Sequence, residues 1–263
     1  MSIWNNTWDY RHFILSSIRN EFKSRFIRSK LGGLWMIINP LTQVAIYMLI
    51  LSHIVSAKLP GINNKYAYTI YLMAGFLGWA LFTEIITRCL NLFIEQSNLI
   101  KKMNFPRITL PSITVGLSLV NNALLLMAMI FLLIIFGYKF SLTIFWLIPL
   151  SLLLAAFAMA LGLLSGILNV FLRDVGQVVP IFLQLWFWCT PIVYPVTILP
   201  EHYRHLLHFN PMYLIIKAYQ EILLYGIPPK LSTLTLMTTL TMFLLVITLI
   251  LFRRANEEMV DAL

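Results

Sequence analysis

Charged side chains are scarce in this sequence: 11% of its 263 residues are Asp, Glu, Lys or Arg, against 60% hydrophobic. A soluble domain of this size needs far more charge on its surface, so a water-soluble fold is excluded. Acidic residues are the rarer sign, ten against nineteen Lys and Arg, giving a net charge of +9. The basic residues sit between the apolar runs and form no single stripe, so they read as topology and nucleic acid is not expected as a partner. Cysteine is nearly absent: Cys89 and Cys189 lie far apart, each in an apolar run, which argues against a disulfide framework or a cysteine metal site. Serine-nucleophile motifs, paired catalytic carboxylates and Gly-rich phosphate loops are missing, and without a Walker A sequence the chain does not hydrolyse ATP by itself. Few polar groups lie near the middle of the apolar runs and no internal repeat is visible, which argues against an ion-coupled carrier. The first thirty residues lack the early apolar core of a secretory signal.

What is present is a series of apolar runs, each long enough to cross a bilayer. They cover about 33–57 (with Pro40 inside), 66–91, 111–138, 142–170, 178–194 and 231–252. The chain therefore reads as one all-α membrane domain over 1–263 with six transmembrane helices. Six crossings put both termini on one side. Thirteen of the Lys and Arg residues fall on that side and six on the other, so both termini are expected to be cytoplasmic.

The segment 7–30 precedes the first run and places Tyr10, Ile14, Ile18, Phe22 and Phe26 at four-residue intervals, with basic residues mostly elsewhere. This pattern predicts an amphipathic helix lying in the interface. The connection 94–107 mixes charged residues with Leu99, Ile100 and Met103 and continues as a helix until Pro106 breaks it. Such a helix has one face suited to a protein partner, although a solvated loop fits the same charges. The segment 195–230 is too long for a hairpin. Asn210 before Pro211 marks a helix start, Gly226 a stop, and Lys217 with Glu221 an i,i+4 pair. The helix between them is too short to span, so it is expected at the outer interface or dipping back inward.

Candidate chemistry is sparse. Glu84 and Arg88 sit one turn apart inside the second run, where a structural ion pair outweighs a functional charge. His202, His205 and His208 recur every three residues, but without further ligands at suitable spacing zinc is disfavoured. The run around 173–200 is the most unusual, with Phe182, Trp186, Phe187, Trp188 and Tyr194 among Pro180, Pro191, Pro195 and Pro200. Prolines free carbonyls that must find partners in protein or a water-filled cavity. Aromatic faces there suit the C–H faces of sugars without a charge to stall a polymer. Trp4, Trp8, Tyr66 and Tyr68 read instead as an interfacial belt.

The sequence shows, in order, the basic N-terminal helix, LGGLWMIINPLTQVAIYMLI, NFPRITLP, NVFLRDVGQVVPIFLQLWFWCTPIVYP and FNPMYLIIKAYQEILLYG. Over about 10–254 it closely resembles the membrane subunits of ABC-2-type polysaccharide exporters. The resemblance implies a homodimeric permease in the bacterial inner membrane joined to a separate cytoplasmic ATP-binding subunit, which holds ATP and Mg; no cofactor belongs to this chain. It further implies a coupling helix at Glu95, Asn98, Leu99, Lys101, Lys102 and Met103, and re-entrant helices within 195–230. A polymer path is implied along Trp35, Tyr47, Phe182, Trp186, Trp188 and Tyr194. Arg25, Arg28 and Lys30 would meet a lipid headgroup, either that of the membrane or the lipid diphosphate of the cargo. The expected cargo is a lipid-linked polysaccharide, O-antigen before capsule or teichoic acid. A drug or small-lipid exporter of the same architecture, and a membrane enzyme acting on lipid-linked sugars, are the alternatives.

Overall fold

The computed structural model describes residues 11–24, 67–97, 109–135, 137–138 and 141–262, with single positions or pairs at 34–35, 38–39, 41–42 and 46. Most of the expected first span and most of the 94–107 connection lie outside the described residues. The described elements are all helical: α1 (Arg11–Ser24), α2 (Ala67–Glu95), α3 (Thr109–Ile135), α4 (Leu147–Phe171), α5 (Val175–Trp188), α6 (Glu201–Leu207), α7 (Pro211–Gln220) and α8 (Leu231–Ala262). A 3₁₀ turn, Leu142–Trp146, leads into α4, and a π-turn, Glu221–Tyr225, continues α7.

Among the described residues, four helices are long and apolar enough to cross a membrane: Ala67–Glu95, Thr109–Ile135, Leu142–Phe171 and Leu231–Ala255. They coincide within a few residues with the runs expected at 66–91, 111–138, 142–170 and 231–252. The run at 178–194 is a correction. Its helix begins earlier, at Val175, and stops at Trp188. Pro191 disfavours helical backbone at the residue before it and lacks an N–H of its own, so the helix ends although the apolar composition continues.

Helix α2 is the hub and is buried along most of its length. On one side it lies parallel to α4, and close approach is bought with glycine. A β-carbon at Gly162 would stand 2.8 Å from the Cys89 Cβ, and one at Gly166 would overlap the Cys89 carbonyl oxygen. Gly162 and Gly166 are thus a small-residue pair, spaced by four, that lets two apolar helices touch along their backbones. The Phe82 and Phe157 rings stack at 5.9 Å higher in the same seam. Asn169 closes it by donating to the Leu90 carbonyl at 3.0 Å.

Helix α3 runs antiparallel on another side of α2, where Asn122 donates to the Leu77 carbonyl at 2.8 Å. Helix α8 packs on α4, with Thr248 donating to the Ala160 carbonyl at 3.1 Å. The outward sides of α3 and α8 expose large apolar side chains such as Phe131, Ile135 and Phe243. Contiguous apolar faces of this kind suit lipid and would aggregate in water.

Candidate functional site

The proline-rich segment after α5 is the most heavily hydrogen-bonded irregular stretch described. Leaving α5 at Trp188, the chain has carbonyls that no helix ladder can satisfy. Side chains from two other elements supply donors. Tyr71 of α2 donates to the Pro191 carbonyl at 2.9 Å and lies 3.0 Å from that of Tyr194. Tyr68 donates to the Val193 carbonyl at 2.6 Å. Gln220, at the end of α7, donates to the Pro191 carbonyl at 3.3 Å. Within the segment, Tyr194 returns its own hydroxyl to the Trp188 carbonyl at 2.8 Å.

Tyr68 is therefore a second correction. It does not lie in an interfacial belt; it is 8% exposed and holds a carbonyl 125 residues away.

Asn210 ties the segment to α7. As the N-cap it accepts from the Met212 and Tyr213 N–H groups at 3.0 and 3.4 Å. The same oxygen accepts from the Trp186 indole at 2.9 Å. Its amide nitrogen donates to the Cys189 carbonyl at 3.2 Å and the Thr190 hydroxyl at 3.1 Å. The expected start of α7 at Asn210–Pro211 and its stop at Gly226 are both present, the latter in the left-handed conformation at φ 64° that favours glycine.

Helix α7 does not rest on the surface. Met212, Ile215, Ile216 and Tyr219 are fully enclosed. The hollow left by Gly78 of α2 is filled by Ile216 of α7, which an added β-carbon would meet at 2.8 Å, and that left by Gly75 by Ile192 of the break and Gln220 of α7, at 2.9 and 3.4 Å. The Tyr219 hydroxyl meets that of Ser151 in α4 at 2.7 Å. Burial, with the Glu221 charge adding to it, pushes the Tyr213 phenol above its ordinary value, so it remains neutral.

The aromatic residues of α5 divide between two faces. Phe182 and Trp188 are exposed, together with Val178, Ile181 and Leu185, in an apolar stripe at helical spacing. Trp186 is half-buried and meets Phe82 edge-on at 5.3 Å, with Phe182 against its other side at 5.4 Å. Phe187 packs against Trp79 at 5.5 Å. Tyr194 is half-buried at the end of the break. Trp35 is described and half-buried, whereas Tyr47 lies outside the described residues.

At the opposite end, a polar cluster joins three helices. Glu84 accepts from Arg88 at 2.9 Å and from Asn121 of α3 at 2.7 Å. Arg88 also stands 3.8 Å from Glu21 of α1. The expected pair is thus extended by two partners that sequence reasoning missed. Of the residues expected to form a coupling helix, Glu95 ends α2. Asn98, Leu99, Lys101, Lys102 and Met103 lie outside the described residues, as do Arg25, Arg28 and Lys30. Among the described residues no group of three His, Cys, Asp or Glu side chains could hold a metal. The His202 and His208 rings instead lie against Tyr203 and Tyr213, at 5.6 and 6.0 Å.

Comparison with known proteins adds a family. A model described as ABC-2 type transporter matches residues 13–224. An O-antigen export system permease protein RfbA of Klebsiella pneumoniae is 29% identical over 208 residues, covering 79% of this chain and 78% of that protein. A protein of the same name from Myxococcus xanthus is 27% identical over 258 residues, 97% of each. The polysialic acid transport protein KpsM of Escherichia coli is 23% identical over 246 residues, 92% of this chain and 93% of that one.

Proposed function

The chain belongs to the ABC-2 type transporter family, and from that premise we propose that it is the permease of an ATP-driven exporter carrying a lipid-linked polysaccharide, O-antigen first, across the bacterial inner membrane. The observation that carries this reading is likeness along 97% of its length to an O-antigen export permease. Capsule polymer is the second reading, favoured by the likeness to a polysialic acid transport protein.

The permease is an integral membrane subunit that performs transport and no bond chemistry. ATP, with Mg, is bound and hydrolysed by a separate cytoplasmic subunit, which engages the segment from Glu95 through Met103. Two copies of the permease enclose the path. The exposed stripe of α5 faces it, with Phe182 and Trp188 forward, Trp186 and Tyr194 behind, and Trp35 and Tyr47 contributed by the first span. Rings without formal charge let successive sugars slide, since stacking on C–H faces is individually weak. Arg25, Arg28 and Lys30 receive the anionic headgroup of the cargo on the cytoplasmic side.

Both termini are cytoplasmic in this arrangement, and six spans follow when the first run and α5 are counted. Helix α5 has 14 residues, about 21 Å at 1.5 Å per residue, short of the ~30 Å hydrocarbon core. The break at 189–195 completes the crossing, which its satisfied carbonyls permit. The buried α7 supports a re-entrant helix: it meets α2 at Gly75 and Gly78, roughly 12 to 16 Å along that helix from its start.

Expression with and without the ATP-binding partner, followed by measurement of surface polysaccharide, tests the assignment. Export is expected only with both. Replacing Phe182 and Trp188 by Ala is expected to reduce it at unchanged protein level. Polymer export by the permease alone would refute ATP coupling, and full export by the double variant would remove the rings from the path.

A further inference from the structure

Beside the end of α7 and the start of α8 lies a cleft of about 220 Å³, whose lining includes His208, Lys217, Glu221, Lys230, Ser232 and Thr233. A single water needs roughly 10–15 Å³ of such space, so the cleft admits a larger group. Its polar lining comes from three separate parts of the fold and is weighted toward donors. Lys217 and Lys230 oppose one carboxylate, and that carboxylate is loosely engaged, 3.8 Å from the Lys217 ammonium. Among the described residues Lys230 has no ion-pair partner, and the Ser232 and Thr233 hydroxyls have no hydrogen-bond partner. The Lys230 carbonyl accepts from the Thr233 and Leu234 N–H groups at 3.0 and 3.1 Å. Lys230 therefore caps α8, and the N–H groups of the first turn add to the positive end of a helix 32 residues long.

The surroundings of the cleft name its occupant. Phe209 and Leu231, sequence neighbours of His208 and Lys230, are 85% and 75% exposed. The membrane-crossing part of α8 starts at Leu231, so the cleft sits where hydrocarbon gives way to headgroups. Ammonium groups above exposed apolar side chains are the arrangement that holds an anionic lipid, with its phosphate in the polar part and its chains beside the apolar part. We infer that this cleft binds the phosphate of an anionic phospholipid headgroup, between Lys217, Lys230 and the Ser232 and Thr233 hydroxyls. The inference requires α8 to span the bilayer and is independent of the cargo.

The test compares retention of phosphatidylglycerol and phosphatidylcholine of identical chains by the purified full-length protein, read by native mass spectrometry. Wild type is expected to favour phosphatidylglycerol. Each lysine changed to Gln should lower that preference about five-fold, and Lys217→Gln/Lys230→Gln about twenty-five-fold. Lys217→Arg should retain it, and Glu221→Gln, which removes the competing carboxylate, should raise it. Thermal melting checks that the variants remain folded, and Lys217→Arg with Glu221→Gln carry the test should the double variant not fold. An unchanged preference in the double variant, or no gain with Glu221→Gln, would overturn the inference. Displacement of phosphatidylglycerol by excess inorganic phosphate would overturn it in favour of a free-anion site.

Discussion

Replacing Asn210 by Ala removes five hydrogen bonds at once and separates their contributions through a second substitution. The N-cap bonds to Met212 and Tyr213 are worth about 1 kcal/mol. The Trp186 indole N–H, which now reaches the Asn210 oxygen at 2.9 Å, would be left without that acceptor in a half-buried position. A buried donor so orphaned costs about 1–3 kcal/mol. The total expected loss is therefore about 2–4 kcal/mol, before any relaxation at Cys189 and Thr190. Trp186→Phe removes the indole donor while keeping a ring against Phe82, so in that background Asn210→Ala should cost about 1–3 kcal/mol less. Thermal unfolding in detergent, followed by intrinsic fluorescence and by the monodisperse fraction on gel filtration, measures both. Asn210→Asp keeps the acceptor oxygen and should recover the cap while losing the bond to the Cys189 carbonyl. Strict additivity of the Asn210 and Trp186 changes, within about 0.5 kcal/mol, would mean that the indole contact contributes nothing and would refute the reasoning.

Two further outcomes follow from the central helices. Gly166→Ala drives a β-carbon into the Cys89 carbonyl oxygen; because the obstacle is backbone, a loss of about 1–3 kcal/mol or more is expected, and an unchanged melting temperature would show that α2 and α4 separate freely. Arg88→Met removes a partner from Glu84, which keeps Asn121 at 2.7 Å, so with both charges about 30% exposed the cost is held to about 1–2 kcal/mol. Adding Glu84→Gln should restore part of it, and a double variant no more stable than Arg88→Met would sink the pairing account.

Local signals were legible in the sequence and distant ones were not. Asn210–Pro211 and Gly226 mark the ends of one helix through their own backbone chemistry, and the structure has both where expected. The end of α5 was misread because Ile192, Val193 and Tyr194 continue the apolar run past Pro191, and hydropathy averages over the residue that decides. Tyr68 resembled an interfacial ring because its partner, the Val193 carbonyl, is invisible without the fold. Glycines at 162 and 166 were hidden within an apolar span, where spacing by four is the only signal of a backbone contact. Glu84 with Arg88 was legible as a pair, since i,i+4 spacing is intrahelical, whereas Asn121 and Glu21 joined it only through packing. The exposed stripe of α5 was half legible: composition identified the rings, but only the bundle turns Trp186 and Phe187 inward and leaves Phe182 and Trp188 outside.

Proline density and flexibility part company here. Four prolines between 180 and 200 suggest a hinge, yet the carbonyls of Cys189, Pro191, Val193 and Tyr194 are each held by a side chain from α2, α7 or the α7 N-cap. To bend this segment, the chain would have to release Tyr68, Tyr71 and Asn210 together, inside an apolar environment where each orphaned group is expensive. The segment is therefore the stiff part, and it moves only with the start of α2 and with α7. Pro180 is different. It takes one N–H from the ladder inside α5, and its neighbours Val178, Ile181 and Phe182 are exposed and not gripped by the bundle. The opposite face of α5 stays packed, with Val179 against the core and Gly176 so close to α4 that a β-carbon there would stand 2.9 Å from the Asn169 side chain, so the bond lost at Pro180 loosens the exposed stripe without freeing the helix from the bundle.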